Sequence, residues 1–332
     1  MESRIKTDEI AESVPDFTRG IRRAKLKDFL FSGLIQFHAL SAIAIILLIF
    51  VYVGKESLPI FFDPEIKKEA NLNLIFLPQN YGTEDMPLSY SWQPVSEVPK
   101  YSILPLLLGT LKVTLVALLF ASPLAIAAAI FTAEFASPRL REIIKPVIEL
   151  LAGIPSVVLG FLALIILASW LQDTFQLDYL LNAINAGIAM GLAILPVIYT
   201  VCEDALTSVP RTYREASIAL GVTPWKTALH VVLPAALPGI FAAMVLGFGR
   251  AIGETMIVLM ASGNAAITSL DFTDSVRTVS ATIAAELGEV VFGSAHFHVL
   301  FFLGVMLFII TFVLNFAGDW VVNYLKRRMM GT

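Results

Sequence analysis

Six nearly uncharged apolar stretches, at residues 29–54, 101–133, 150–172, 179–202, 234–260 and 299–325, alternate with polar segments along the chain. Runs of more than ~18 apolar residues predict helices that cross a bilayer. The polar segments differ in kind. Residues 55–100 hold six of the seventeen prolines (Pro59, Pro64, Pro78, Pro87, Pro94 and Pro99), which predicts an excursion built of short irregular elements, because proline removes a helical donor and clashes with the preceding turn. Residues 263–296 predict a second excursion with a short helix around Ser280–Gly288. Gly153 and Pro155 predict a break near the entrance of the third span, beside Ser156. Lys112 interrupts the second span and is expected either to snorkel outward or to face the bundle interior.

The segment Glu215–Pro234 is a charged island between the fourth and fifth stretches. Pro210 suits the first turn of a helix and Gly221 its C-terminal cap. Thr223 and Pro224 read as a fresh N-cap and first turn, and Pro234 closes the second segment. The predicted unit is a short helix, a glycine turn and a second short helix outside the bilayer. It presents a small-residue face of Ala216, Ala219 and Gly221 beside Glu215.

Composition narrows the class. Of 332 residues, 57% are apolar and 15% charged, against about 25% charged in soluble domains, so the chain reads as one long membrane bundle. A net charge of −4 argues against nucleic-acid binding. Cys202 is the only cysteine, so no intrachain disulfide can form. His296 and His298 have no sequence-local carboxylate or thiol cluster and read as interfacial polar residues. No phosphate loop of the form GxxxxGK[ST] occurs, so ATP chemistry is expected elsewhere and the chain itself is not expected to be an enzyme. Residues 1–28 are mixed in charge and expected to be solvated, and the basic run Arg22–Lys27 directly precedes a retained first span without a cleavage site.

Lysine and arginine fall unevenly. Residues 1–28, 134–149, 203–230 and 326–332 carry sixteen of them, and residues 55–100, 171–178 and 263–298 carry five. Basic loops stay on the cytoplasmic side, so both termini and the hairpin are expected there. The expected division is a cytoplasmic tail 1–28, a first span 29–54, an external segment 55–100, a five-span core 101–325 and a cytoplasmic tail 326–332.

The hairpin spacing is specific. Glu215-Ala216-Ser217, three residues, Gly221, nine residues and Val231-Val232-Leu233-Pro234 resemble the EAA signature of ABC-importer permeases, E-A-A, three residues, G, nine residues, I-x-L-P. Ser217 and Val231 depart from the usual alanine and isoleucine. In that family the loop is the coupling helix that fits a groove on the cytoplasmic ATPase. Residues Glu149–Val157 (ELLAGIPSV), Gly249–Met256 (GRAIGETM) and Ser280–Glu286 (SATIAAE) extend the resemblance, so that 101–325 resembles a phosphate ABC-importer permease of the C type. The resemblance implies an all-α type I permease fold with six transmembrane helices in the cell inner membrane. It also implies a homologous second permease, two ATPase subunits that hold ATP and magnesium, and an external phosphate-binding protein. The chain itself needs no cofactor or metal.

Arg250, Glu254, Thr255 and Ser156 are the candidate translocation residues. Arg250 lies sixteen residues beyond Pro234, about 24 Å at ~1.5 Å per helical residue, past the middle of a ~30 Å hydrocarbon core. Its guanidinium keeps its proton and is expected to face the bundle interior or a water-filled cavity. Glu254, one helical turn on, is expected on the same face, able to neutralise it in part. Two alternatives stay open: a permease for another solute (molybdate, sulfate or an amino acid), and a membrane scaffold that signals phosphate status to a sensor kinase. An intramembrane hydrolase fits poorly, because no aspartate pair, HExxH motif or serine–histidine pairing occurs at a suitable depth.

Overall fold

The structure, a computed structural model, describes the backbone of residues 17–80 and 88–330 and the side chains of 28–80 and 88–327. The expected solvation of residues 1–16, and Pro87, fall outside the described residues. Residues 1–53 form one compact unit and residues 54–332 another. Helix α1, Phe17–Ser57, belongs largely to the first, and its apolar side chains from Phe29 to Val51 are exposed within the chain. The excursion that follows is built of short helices α2 (Pro59–Phe62), α3 (Pro64–Glu69) and α4 (Leu72–Phe76). Each uses its proline or asparagine productively: Pro59 and Pro64 stand in first turns, and Asn71 caps α4 by accepting from the Asn73 and Leu74 N–H groups. A two-stranded antiparallel ribbon, β1 (Trp92–Gln93) with β2 (Lys100–Tyr101), was not anticipated.

Six helical stretches are long and apolar enough to cross a membrane: 28–62, 104–135, 156–175, 183–207, 224–252 and 295–327. They contain α5 (Leu104–Ile130, extended by a π turn, Phe131–Phe135), α7 (Ser156–Leu162) joined by a π turn to α8 (Ala168–Phe175), α9 (Ala183–Thr207), α12 (Leu233–Ile252) and α15 (Ala295–Met330). The third span differs from expectation. Residues 138–152 form a separate amphipathic helix, α6 (Pro138–Ala152), and the span begins only at Ser156. Gly153 and Pro155 therefore separate two helices instead of kinking one. The N–H of Gly153 still reaches Leu150 O, but Pro155 has no N–H to continue the ladder.

Helix α9 is the centre of the bundle and packs on α5, α12 and α6. Glycines let it approach α5 closely. A Cβ on Gly187 would fall 2.5 Å from Val116 Cβ, and one on Gly191 2.7 Å from the Phe120 ring. Because the contact advances in the same direction along both helices, α5 and α9 run parallel, which the intervening third span requires. Small residues at such contacts supply the van der Waals packing that holds helices together where lipid removes the hydrophobic drive. Ala117, Ala121, Ala125 and Ala129 line the same contact and are fully buried.

A second core of Ile60, Ile75, Trp92, Tyr101, Val299 and Leu303 lies where the excursion meets the starts of α5 and α15. Above it Glu286 accepts from Trp92 Nε1 at 3.1 Å, pairs with Arg277 and lies 2.8 Å from His296 Nε2. His298 Nδ1 lies 2.7 Å from Glu56 O. His296 thus finds its carboxylate partner ten residues earlier and His298 its partner 242 residues earlier, yet no cluster of three metal-ligating side chains occurs among the described residues. Burial, reinforced by the Glu69 and Glu286 carboxylates, pushes the Tyr101 phenol up to about 12. Lys112 is buried, with Nζ 3.2 Å from Ser269 O and over the Phe272 ring, so it faces inward.

Gly187→Leu should overpack the α5–α9 contact at a Val116 atom that cannot swing away, costing about 1–3 kcal/mol. A melting temperature in detergent several degrees below that of the unmodified protein is the expected result, and an unchanged one would refute this register.

Candidate functional site

Two separate groups of predicted residues take shape. The first is the hairpin. Helix α10 (Arg211–Ala219) follows Pro210, which stands at its N-cap, and Gly221 turns the chain at φ +77, a conformation that strains any residue with a Cβ. Thr223 then caps the backbone of α11 (Pro224–Thr227), without a hydrogen bond from its side chain. Glu215, Ala216, Ala219 and Gly221 are exposed, and beside them Tyr213, Ile218, Leu220 and Trp225 expose large apolar surfaces. Ser217 is not on that face. It is buried, and its hydroxyl lies 2.9 Å from Thr227 Oγ1, which pins α10 to α11.

The expectation of a second short helix ending at Pro234 is corrected. From Pro224 to Ile252 the chain is one helical stretch, which passes through a π turn at Ala228–Val232. The wider turn stands immediately before Pro234, where the ring would otherwise crowd the preceding turn and where no N–H is available to bond. Pro234 is half-buried inside this stretch. The second half of the hairpin is therefore the start of the fifth span, and α10 with its glycine turn stands before it.

The second group lies at the other end of that span, about 30 Å away over the twenty residues of α12. The helix stops at Ile252, Gly253-Glu254-Thr255 form a bend, and helix α13 (Met256–Ala261) starts again. A backbone break needs replacement hydrogen bonds, since hydrocarbon offers none. Side chains supply them. Ser280 Oγ, on α14 (Val279–Glu286), donates to Glu254 O at 2.7 Å. At the far end of α13, Asn185 Nδ2 on α9 donates to Ala261 O at 2.9 Å, and Asn264 Nδ2 to Leu259 O at 2.6 Å. Thr255 N–H donates to its neighbour's Glu254 Oε1 at 3.2 Å, and Thr255 Oγ1 to Gly253 O. Close approach completes the bend: α13 packs on α7, where a Cβ on Gly160 would meet Ile257 Cα at 3.2 Å. Ser156, half-buried, is the first residue of that same helix α7.

Arg250 and Glu254 do not share a face. Glu254 borders a narrow interior gap with Thr110, Thr114, Thr278 and Ser280. Arg250 is exposed within the chain and makes no ion pair or hydrogen bond among the described residues. The expected Arg250–Glu254 pairing fails because α12 ends between them, so the four-residue spacing no longer closes one turn. Arg250 also does not face this chain's own bundle interior.

Sequence reasoning missed the ion pairs that fix the hairpin's surroundings. Glu203, with no exposed side-chain surface, pairs with Arg141 and, at 2.9 Å, with Lys145, both on α6. Lys145 also reaches Asp204 at 3.3 Å, and the hydrogen bond to Glu203 holds its ammonium pKa above the usual lysine value. Arg214 on α10 binds Glu134 of the π turn that ends α5. A Glu-Asp pair at the end of an apolar span was the available signal for the first cluster. Nothing local marked the second.

Comparison with known proteins resolves the class. The profile described as "Binding-protein-dependent transport system inner membrane component" matches residues 121–331. The chain belongs to this family. Among family relatives it is 36% identical to the probable ABC transporter permease protein YqgH of Bacillus subtilis (strain 168), over 76% of this chain and 81% of that protein. It is 34% identical to the phosphate transport system permease protein PstC of Mesorhizobium japonicum, over 72% of this chain and 78% of that one. A chain of the MetNI methionine ABC transporter, solved in an inward-facing conformation, shares the fold with a TM-score of 0.52 at 20% identity, covering 65% of this chain and 93% of that one. The family member described here is thus a multi-pass inner-membrane permease subunit of an ABC importer, with six apolar helices and the type I permease fold.

Asn185→Leu removes the donor that satisfies Ala261 O in a buried setting, which should cost about 1–3 kcal/mol. Thermal unfolding of the purified permease in detergent reads this out, and an undiminished melting temperature would show that the end of α13 does not depend on Asn185.

Proposed function

We propose that this chain is the C-type permease subunit of an ATP-driven importer of inorganic phosphate. In that role it pairs with a homologous permease, receives phosphate from an external binding protein, and couples through its hairpin to two cytoplasmic ATPase subunits that hold ATP and magnesium. Both termini and the hairpin then lie in the cytoplasm, as the distribution of basic residues favours. The observation that carries the substrate class is Arg250. A permanent cation on the exposed face of a membrane helix is costly against lipid, so this face belongs against a partner subunit or a water-filled path. The guanidinium fork matches the oxygens of an oxyanion and stands one residue pair before the bend at Gly253–Thr255. The relatives that are phosphate transport system permease proteins support phosphate among the oxyanions.

In this reading phosphate approaches Arg250 along the interface between the two permeases, Thr255 and Ser280 border the bend that changes shape as the path opens, and Ser156 starts the helix α7 that packs on α13. Glu254 repels an anion that would otherwise stay bound. A permease for another oxyanion keeps the same use of Arg250 and differs only in the binding protein that feeds it.

In the reconstituted complex Arg250→Ala should assemble with its partners and import no phosphate. Arg250→Lys should lose most of the rate, because an ammonium keeps the charge and loses the fork. ATP-driven uptake of labelled phosphate checks both, and uptake at the unmodified rate by Arg250→Ala would contradict the proposal. Orientation has its own test. Because Cys202, the only native cysteine, is buried, cysteines placed at Val95 and Ala219 can be followed cleanly. Position 95 should label from outside in intact cells and position 219 only after permeabilisation. External labelling at 219 would overturn the orientation.

A further inference from the structure

Arg214 reaches out of the hairpin and spends its donors on two different spans. Its Nε donates to Glu134 Oε2 at 3.0 Å and its Nη2 to Glu134 Oε1 at 2.6 Å, a paired fork on the carboxylate. Glu134 lies in the π turn that ends the second span. At the same time Nη1 donates to Val209 O at 2.7 Å and Nη2 to Leu206 O at 2.9 Å, so the guanidinium caps the end of the fourth span, α9. Both side chains of the pair are largely sheltered, at 21% and 10% exposure, which weakens screening by water and salt. On its other side α10 is pinned through Ser217 to Thr227, within the helical stretch that continues as the fifth span. A single short helix is therefore tied to spans two, four and five, and Arg214 makes two of the three ties.

A helix cap alone needs only one or two donors near the last carbonyls, and a lysine suffices for that. The bidentate grip on Glu134 adds something a cap does not. It fixes the direction of α10 relative to α5, because the planar fork holds both carboxylate oxygens at once.

We propose that Arg214 and Glu134 are positioning residues that form the joint through which movement of the hairpin is passed to the second and fourth spans. This rests on the reading of the hairpin as the ATPase-docking surface. When the ATPase displaces α10, the fork carries α5 and the end of α9 with it. These two helices pack together along the glycine and alanine contact, so they move as one body. A joint that holds by one bond at a time lets the hairpin follow the ATPase while the spans lag behind.

The test uses the complete complex, this chain with its partner permease, ATPase subunits and binding protein, in proteoliposomes. ATP hydrolysed and phosphate accumulated are measured together for the unmodified chain, Arg214→Lys, Glu134→Gln and the double variant. Glu134→Gln keeps the side chain's size and Arg214→Lys its positive charge, and both positions are largely sheltered. Each single variant is expected to copurify with the ATPase and to hydrolyse ATP, while phosphate moved per ATP falls about tenfold, the scale of one lost charge-assisted bond. The double variant is expected to lose no more than either single one, because both remove the same joint. An unchanged ratio of phosphate to ATP in the single variants overturns the proposal, as does a double loss equal to the product of the single losses. Failure of both Glu134→Gln and Arg214→Lys to copurify with the ATPase also overturns it, by showing a purely structural prop. If the unmodified complex binds no ATPase or accumulates no phosphate, the underlying functional reading fails instead.

Discussion

A hydrocarbon interior offers no hydrogen-bond partner, and that one constraint decides where this chain is allowed to bend. The spans are helices because each helix satisfies its own backbone. Where the fifth span breaks at Gly253–Thr255, Ser280 donates to Glu254 O, and where the short helix α13 that follows ends, Asn185 and Asn264 donate to Ala261 O and Leu259 O. The break is therefore a built feature. Its cost is offset by residues that would be helix-neutral or unfavourable anywhere else in an apolar bundle, and an irregular backbone inside a membrane protein is tolerated where it lines a cavity or is enclosed by protein.

The bend and the hairpin are the two ends of one helical stretch, Pro224–Ile252. This continuity links the parts of the molecule. Gly221, at positive φ, exposes a small-residue and aromatic face outside the bundle, and the same stretch ends two residues after Arg250. On the proposed reading of the hairpin as a docking surface and of Arg250 as an anion contact, this one stretch joins the two sites. The ion pairs of Arg214 with Glu134 and of Glu203 with Arg141 and Lys145 hold the neighbouring span ends in register with that stretch.

Much of this was legible in the sequence, for local reasons. Six apolar stretches gave six spans because hydrophobic length alone selects them, and Pro59 and Pro64 gave short helices because each sits in a first turn. Gly221 declared its turn because no other residue adopts that φ without strain. The failures share a cause. The helix Pro138–Ala152 was not anticipated: 134–149 read as a basic segment between spans and 150–152 as the start of the third, because charges and Pro146 obscured an amphipathic period. Arg250 and Glu254 were read as partners because four residues make one turn, yet the helix stops between them for reasons held on α14, 26 residues further on. Glu203 and Glu134 meet their cations 58 to 80 residues away, and no local pattern carries that distance. The side of Arg250 that faces outward is a property of an assembly, which one chain's sequence does not display.

The central claim is that this permease carries phosphate under the control of an ATPase docked on its hairpin. The most direct measurement is uptake of labelled phosphate into proteoliposomes that contain the unmodified complex and its binding protein, with and without ATP, and with sulfate or molybdate in excess. The account predicts accumulation that requires ATP and is not suppressed by either competing oxyanion. Accumulation of a different solute with no phosphate uptake, or phosphate entry that needs no ATP, would contradict it.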